Sequence, residues 1–277
     1  MPKTGTSRQA PYSLATGSAA VRRLTALHEI YSPVGRRVLL QAGLKAAMNV
    51  ADFGCGVGMV TRMLAEIVGP SGAVTGIDIS AAQVEQAREI SARKGFRNVA
   101  FREASACESG LPRASFDLVY CRFLLLHLPD PAACLEEMLA VLKPLGILVV
   151  EDGDLTSAMS QPPTAQNAFA DLFGRLGPTR GLDYSMSKSL LALVKAAGVQ
   201  NLNIEVHQPA LVSGASRYLL KWSVEEAGDS FVNAGLITAA NLSRTLIEMQ
   251  EAIDDPDVLI LGPKMSLVSG NKPSSDA

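Results

Sequence analysis

The stretch "NVADFGCGVGMVTRML", Asn49 to Leu64, restricts this chain more than any other: an apolar run ends in Gly54, Gly56 and Gly58, and a helix-forming segment follows at once. A strand that turns directly into a helix belongs to a βαβ unit, and parallel strands built this way need helices on both faces of their sheet. The same alternation continues to Glu151. "NVADF", "AVTGID", "VAFRE", "FDLVYC" and "GILVVED" read as strands with helices between them. A helix over Met59 to Val68 is stopped by Gly69-Pro70, and Ser80 and Gln83 have capping-box spacing for a helix to about Arg93. Pro131 suits the first turn of a helix that Lys143-Pro144 ends. Further on, "SKSLLALVKAAG" reads as a helix, and "VQNLNIEVHQ" and "PKMSLVSG" supply the sixth and seventh strands.

Three segments stand outside this alternation. Residues 1–44 carry an amphipathic helix, with Val21, Leu24, Leu27 and Ile30 at helical spacing, and are expected to form an N-terminal helical lid. Residues 45–277 form the main domain, interrupted by long insertions at 153–185 and 211–255, which are expected to make a substrate cap or a dimer interface. With 48% hydrophobic residues in 277, the chain can bury a full core. Its net charge of -2 gives no overall field to draw it to nucleic acid or an anionic membrane. No run approaches the roughly 18 apolar residues of a membrane span, and the start lacks the apolar core of a secretory signal. A cytoplasmic protein is expected. Cys55, Cys107, Cys121 and Cys134 include no Cys-x-x-Cys pair, which argues against a zinc site or a disulfide framework.

Three glycines in five residues are hard to explain as a bare turn. Such a turn lets a ligand approach the backbone, and the N-terminus of the following helix favours an anionic group. Asp78 ends the second strand, where its carboxylate can accept the hydrogen bonds of a ribose diol. Together they imply a nucleoside with an anionic end. The dinucleotide fingerprint needs its third glycine where Met59 stands, which disfavours a nicotinamide cofactor and hence an NAD(P)-dependent oxidoreductase.

"VADFGCGVG", "VTGIDIS", "LPRASFDLVYCRFLLLHLPD" and "LKPLGILVVED" resemble, in order and spacing, the class I S-adenosylmethionine-dependent methyltransferases. "PYSLATGSAAVRRL" looks like the N-terminal segment of bacterial small-molecule members. The resemblance implies a Rossmann-like α/β fold, a seven-stranded mostly parallel sheet with an antiparallel last strand. It implies S-adenosylmethionine as cofactor, S-adenosylhomocysteine as product, and methyl transfer to O, N or C of a small metabolite. By it, Asp52, Gly54, Gly56 and Gly58 surround the methionine moiety, Asp78 takes the ribose hydroxyls and Ile79 lies against adenine. Tyr12, Gln83, Ser105, Ala106, Cys121 and Arg122 complete the expected cofactor site. "EASA" departs from the family's Gly-Asp-Ala, so Ser105 replaces a carboxylate with a weaker, uncharged acceptor. Leu145 replaces a usual glycine in "LKPLG", a turn variant expected to be harmless.

Methyl transfer from a sulfonium needs an acceptor lone pair held opposite the sulfur, so positioning supplies much of the catalysis. His127 is the candidate general base, or else a histidine packed beneath the cofactor. His28 and His207 are weaker candidates. Glu151, Asp152 and Asp154 raise a metal site, but Cys121 and Arg122 stand where such a site wants another acid. "CRFLLL" replaces the Asn-Pro-Pro-type tetrapeptide of base methyltransferases, and no Pro-Cys nucleophile is present, which argues against a nucleic-acid substrate. Tyr12, Phe169, Phe173, Tyr184, Tyr218 and Trp222 are the candidate aromatic lining of an acceptor pocket. A non-catalytic S-adenosylmethionine-binding protein stays open as an alternative, as does a homodimer.

Overall fold

The computed structural model describes residues 21–274. In chain order the elements are α1 (Val21–Ala42), β1 (Asn49–Phe53), α2 (Met59–Val68), β2 (Ala73–Asp78), α3 (Ala81–Arg93), β3 (Val99–Glu103), β4 (Phe116–Arg122), α4 (Pro131–Val141), β5 (Leu142–Asp154) and β6 (Met159–Gln161). They continue as α5 (Ala168–Thr179), α6 (Leu190–Ala196), β7 (Gln200–His207), α7 (Leu219–Glu226), α8 (Gly228–Asn233), α9 (Ala239–Asp254), β8 (Leu259–Leu261) and β9 (Lys264–Asn271). The seven strands expected from sequence join in one sheet, ordered β3-β2-β1-β4-β5-β9-β7. β9 is antiparallel to both neighbours and the remaining pairs are parallel. The chain runs outward from β1 through β2 to β3 and then returns to place β4 on the other side of β1. This reversal opens a cleft at the carboxyl ends of β1 and β4, where open α/β sheets bind ligands.

Local chemistry accounts for the boundaries. Ser80 Oγ accepts from Gln83 N at 3.4 Å to start α3, and Asp130 accepts from Ala133 N at 3.0 Å to start α4 ahead of Pro131. Gly69 stops α2 with φ at +66°. Two features differ from expectation. β6 and β8, three residues each, pair with one another and tie the first insertion to the segment that follows the second; strands this short carry no readable period. Leu145 sits in the left-handed region, at φ +61° and 65% exposed, so its side chain strains the turn and gains little from burial.

The extra segments gather over the cleft. α1 packs on β5 and β9, and its Gly35 meets Glu151 so closely that a Cβ there would lie 2.5 Å from Oε1. Tyr31 donates its hydroxyl to Pro263 O at 2.8 Å. α7 contacts α1, α5 and α9, and the ion pairs Arg22–Glu225 at 2.6 Å and Arg23–Glu226 at 2.8 Å fasten α1 to α7. The buried stripe of α1 includes Arg23, Ala26, Tyr31 and Ser32, while Leu24 and Leu27 are half-buried. No helix among the described residues is long and apolar enough to cross a membrane.

Replacing Leu145 with glycine should stabilise the protein by about 1 kcal/mol, because relief of the left-handed strain outweighs the added freedom of the unfolded chain. Urea unfolding would measure it, and a variant less stable than the wild type would show that the turn carries no strain.

Candidate functional site

A cavity of about 400 Å³ runs from the glycine turn to the underside of α1, α5 and α7. Asp78 organises its first end. Its Oδ2 accepts from Gly56 N at 2.9 Å and its Oδ1 from Ser80 N at 2.9 Å, so one carboxylate holds the turn after β1 and the approach to α3. Burial raises its pKa, against the pull of those N–H groups. The three glycines do different work. Gly56, at φ +53°, lines the cavity, and a Cβ there would meet only the Gln83 amide oxygen, at 2.9 Å. Gly54 also lines it, with Leu124 against its Cα. Gly58 does not: a Cβ there would strike the Phe101 ring at 2.8 Å and Arg62 at 3.0 Å, so packing by itself requires this glycine. Backbone bonds also occupy much of the turn, since Gly54 N and Cys55 N donate to Ile77 O and Gly58 N to Cys55 O. Val57 in the turn, and Met59 and Val60 at the start of α2, line the cavity, which brings the positive end of that helix to its wall.

Asp52 lies behind the turn, 2% exposed, and its Oδ2 accepts from Thr61 Oγ1 at 2.6 Å. Burial lifts its pKa to about 7, with the Thr61 hydroxyl opposing. Ile79 is 59% exposed and lines the cavity beside Gln83. Ser105 and Ala106 line a small adjoining recess with Ile77 and Asp78, and Ser105 Oγ accepts from Cys107 N at 3.2 Å. Tyr12 lies outside the described residues.

At the end of β4 the expected pair separates. Cys121 is fully buried in the core between β1 and β5 and does not line the cavity. Arg122 lines the cavity and donates from Nη1 to Ser32 Oγ at 3.0 Å. The sequence reading missed Phe123. It holds φ +50°, its N–H donates to Glu151 O at 3.0 Å, and its ring covers Gly153 so closely that a Cβ there would lie 2.5 Å away. A bulky residue in that conformation is a local strain typical of ligand sites. His127 lines the cavity, its ring edge-on to Tyr184 at 5.8 Å. Burial, then Arg23 and Arg180, lower its pKa to about 3, so the imidazole is neutral at ordinary pH. His28 is bonded to Ser32 Oγ at 2.9 Å, and His207 sits on β7 near Tyr31.

The far wall is apolar. Phe169 and Phe173 line it, 4.7 Å apart, and Tyr184 packs against Phe173. Tyr218 and Trp222 instead stack on one another beneath Arg22 and do not line the cavity. Arg23, also missed from sequence, does line it. The three acids of β5 part company: Asp152 accepts from Leu125 N and Leu126 N, Asp154 accepts from Thr156 N and pairs with Lys188 at 3.2 Å, and Glu151 faces α1.

Residues 44–196 match the family described as methyltransferase domain, which is more than half of the chain. The chain belongs to that family. Over 114 residues it is 35% identical to aklanonic acid methyltransferase DauC from Streptomyces sp. (strain C5), covering 41% of this chain and 52% of the relative. Over 153 residues it is 33% identical to demethylmenaquinone methyltransferase from Staphylococcus aureus (strain JH9), covering 55% and 61%. The chain thus spans between half and two thirds of the length of the curated relatives it matches. The crystal structure of the (4+2)-cyclase SpnF aligns with a TM-score of 0.55 at 24% identity, over 95% of this chain and 86% of that one, a likeness of fold.

Glu151 supplies a test of the charge balance behind the site. Burial raises its pKa from the ordinary 4.5 to about 7, against the pull of Arg122. A raised carboxyl pKa contributes stability that is complete below the ordinary value and is lost as pH rises through the folded value. The buried histidines pull the other way over part of this range, so the readout is a difference. The Tm of Glu151→Gln minus that of the wild type should become more positive from pH 5 to pH 8. A constant difference would show that Glu151 is ionised throughout.

Proposed function

We propose that the chain transfers a methyl group from S-adenosylmethionine to a small, partly apolar molecule. One observation carries the reading: the glycine turn with Asp78 and the covered, mostly apolar recess with Phe169 and Phe173 are two ends of a single cavity. Family membership supports it, and the matched relatives are named for small acceptors, aklanonic acid and demethylmenaquinone.

The residues at the first end fit the cofactor. Each Asp78 oxygen accepts one backbone N–H and keeps a lone pair for a ribose hydroxyl. Asp52, Gly54 and Gly56 would meet the methionine moiety, and Ile79, Gln83, Ser105 and Ala106 the adenine end. When bound, the cofactor would supply a methyl carbon activated by a positive sulfur, open to attack by an acceptor lone pair. The chain's own part is to hold the acceptor in line and to exclude water. Phe123 and Leu126 wall the junction between the two ends, and His127 enters as a neutral ring that orients the acceptor. We assign α1 and the insertions at 153–185 and 211–255 to a cap over the acceptor, since α1, α5 and α7 line or pack around that recess. The four free cysteines suit the reducing cytoplasm.

Calorimetric titration tests the reading. S-adenosylmethionine and S-adenosylhomocysteine should bind, and NADH and NADPH should not. Asp78→Ala should weaken binding by about 1–3 kcal/mol, since it removes a ribose acceptor and frees the Gly56 N–H. Gly56→Val should abolish binding through its positive φ and the bulk placed in the cavity. Unchanged affinity in both folded variants would overturn the site, and binding of a nicotinamide cofactor would overturn the function.

A further inference from the structure

The four cysteines are spread along the sequence, but the fold brings two of them together. Cys107 stands in the loop after β3, half-buried, and Cys134 lies in α4, fully buried. Loop and helix are fastened to each other, because Glu137 accepts from Ser109 N at 3.1 Å and from the Ser109 hydroxyl. Residues three apart share a helix face, so the face of α4 that turns Glu137 to Ser109 also turns Cys134 to Cys107. The two thiols are hydrogen bonded, Cys134 donating.

Such a pair has the parts of a thiol redox couple. The bond from Cys134 lowers the Cys107 pKa to about 7, against burial and the nearby acids Asp130, Glu108 and Glu137, while the same bond and burial keep Cys134 protonated. A partly exposed thiolate with a second thiol in contact is the arrangement of a reacting and a resolving cysteine. Cys55 and Cys121 differ, since burial raises the pKa of both. The Cys107 loop is also part of the ligand cleft. Ser105 and Ala106 line the recess beside Asp78, and Cys107 N donates to Ser105 Oγ at 3.2 Å. A disulfide holds its sulfurs about 2.05 Å apart, closer than two thiols in hydrogen-bond contact, so closing it draws the loop toward α4 and pulls on the recess wall.

We propose that Cys107 and Cys134 close a reversible disulfide when the chain meets a hydroperoxide, a modification site that deforms the nucleoside recess. The Cys107 thiolate attacks the peroxide oxygen, the O–O bond breaks and the leaving oxygen departs as water or an alcohol, which leaves Cys107 as a sulfenic acid. The Cys134 sulfur then attacks the Cys107 sulfur, the S–O bond breaks, and the hydroxide leaves as water with the Cys134 proton. Two thiols lose two electrons in all, and the peroxide gains them. A dithiol reductant reverses the step. The disulfide stands independently of the methyltransferase reading, whereas its effect on the ligand rests on that reading.

The full chain, reduced and freed of reductant, is treated with hydrogen peroxide and its peptides are mapped by mass spectrometry without reduction. A linked pair of peptides containing Cys107 and Cys134 should form and should revert with dithiothreitol. Cys107→Ser should abolish it, and in Cys134→Ala the oxidised Cys107 should instead be trapped by dimedone as a sulfenic acid. By calorimetry, the oxidised wild type should bind S-adenosylhomocysteine at least threefold more weakly than the reduced one, and peroxide should cause no such loss in Cys107→Ser. Absence of the linked peptides from the folded wild type, or linkage of other cysteines in their place, overturns the pair. A disulfide that leaves the affinity unchanged overturns its hold on the recess. If the reduced chain fails to bind S-adenosylhomocysteine, the methyltransferase reading falls, and the disulfide is judged on the peptide map alone.

Discussion

The carboxylate of Asp78 accepts one N–H from Gly56 and one from Ser80, and the geometry of the cleft depends on that grip. β1 and β2 lie side by side, so their carboxyl ends emerge together. The grip adds to the bonds from Gly54 N and Cys55 N to Ile77 O that hold the loop after β1 to the sheet end. With it, the Gly56 Cα surface is held open toward the cavity, the start of α2 lies at the cavity wall, and α3 begins beside them. The same carboxylate that would recognise a ribose therefore also builds the place where the ribose would lie, at the cost of burying a group that prefers water.

Burial of acids recurs along this end of the sheet. Asp52, Glu151 and Asp152 all lie within the protein, and burial raises the pKa of each to about 7. Their partners differ. Asp52 is held by a threonine hydroxyl from α2, Asp152 by the backbone of the turn that carries Leu125 and Leu126, and Glu151 lies against the bare Cα of Gly35. Asp152 in particular shapes the segment from Phe123 to His127, most of which lines the cavity. Strain at Phe123 and the required glycine at Gly153 belong to the same construction: the ring of one is packed on the backbone of the other.

Above the sheet, α1 and the two insertions are held by a few specific contacts as well as by the short β6–β8 ladder. Arg22 and Arg23 reach Glu225 and Glu226, Tyr31 reaches the carbonyl of Pro263, and Gln166 donates to Met249 O at 2.7 Å across the two insertions. Polar ties of this kind select one placement of the helices, whereas Phe169, Phe173 and Phe231, packed edge to face or tilted, supply the burial that holds them there.

Much of this was legible in the chain itself. Ser80, Pro131 and Gly69 act within a turn of where they stand, and the apolar runs of β1 to β5 declare their strands, because capping, turn conformation and side-chain period are short-range properties. The glycine turn and Asp78 were legible as a pair for the same reason, each sitting at the end of a strand whose identity is local. What each glycine faces was not. Gly56 opens on the cavity while Gly58 is filled by Phe101 and Arg62, residues supplied by β3 and α2. Cys121 and Arg122, adjacent in sequence, point to core and cavity because successive strand residues alternate sides. Arg23 reads as one more charge in "VRRL" until α7 brings Glu226 to it from 203 positions away. Sequence alone determined the βαβ order, the turn and the acid that follows it. Tertiary structure decided which of those groups share a cavity, since that depends on long-range packing, for which the local pattern carries no record.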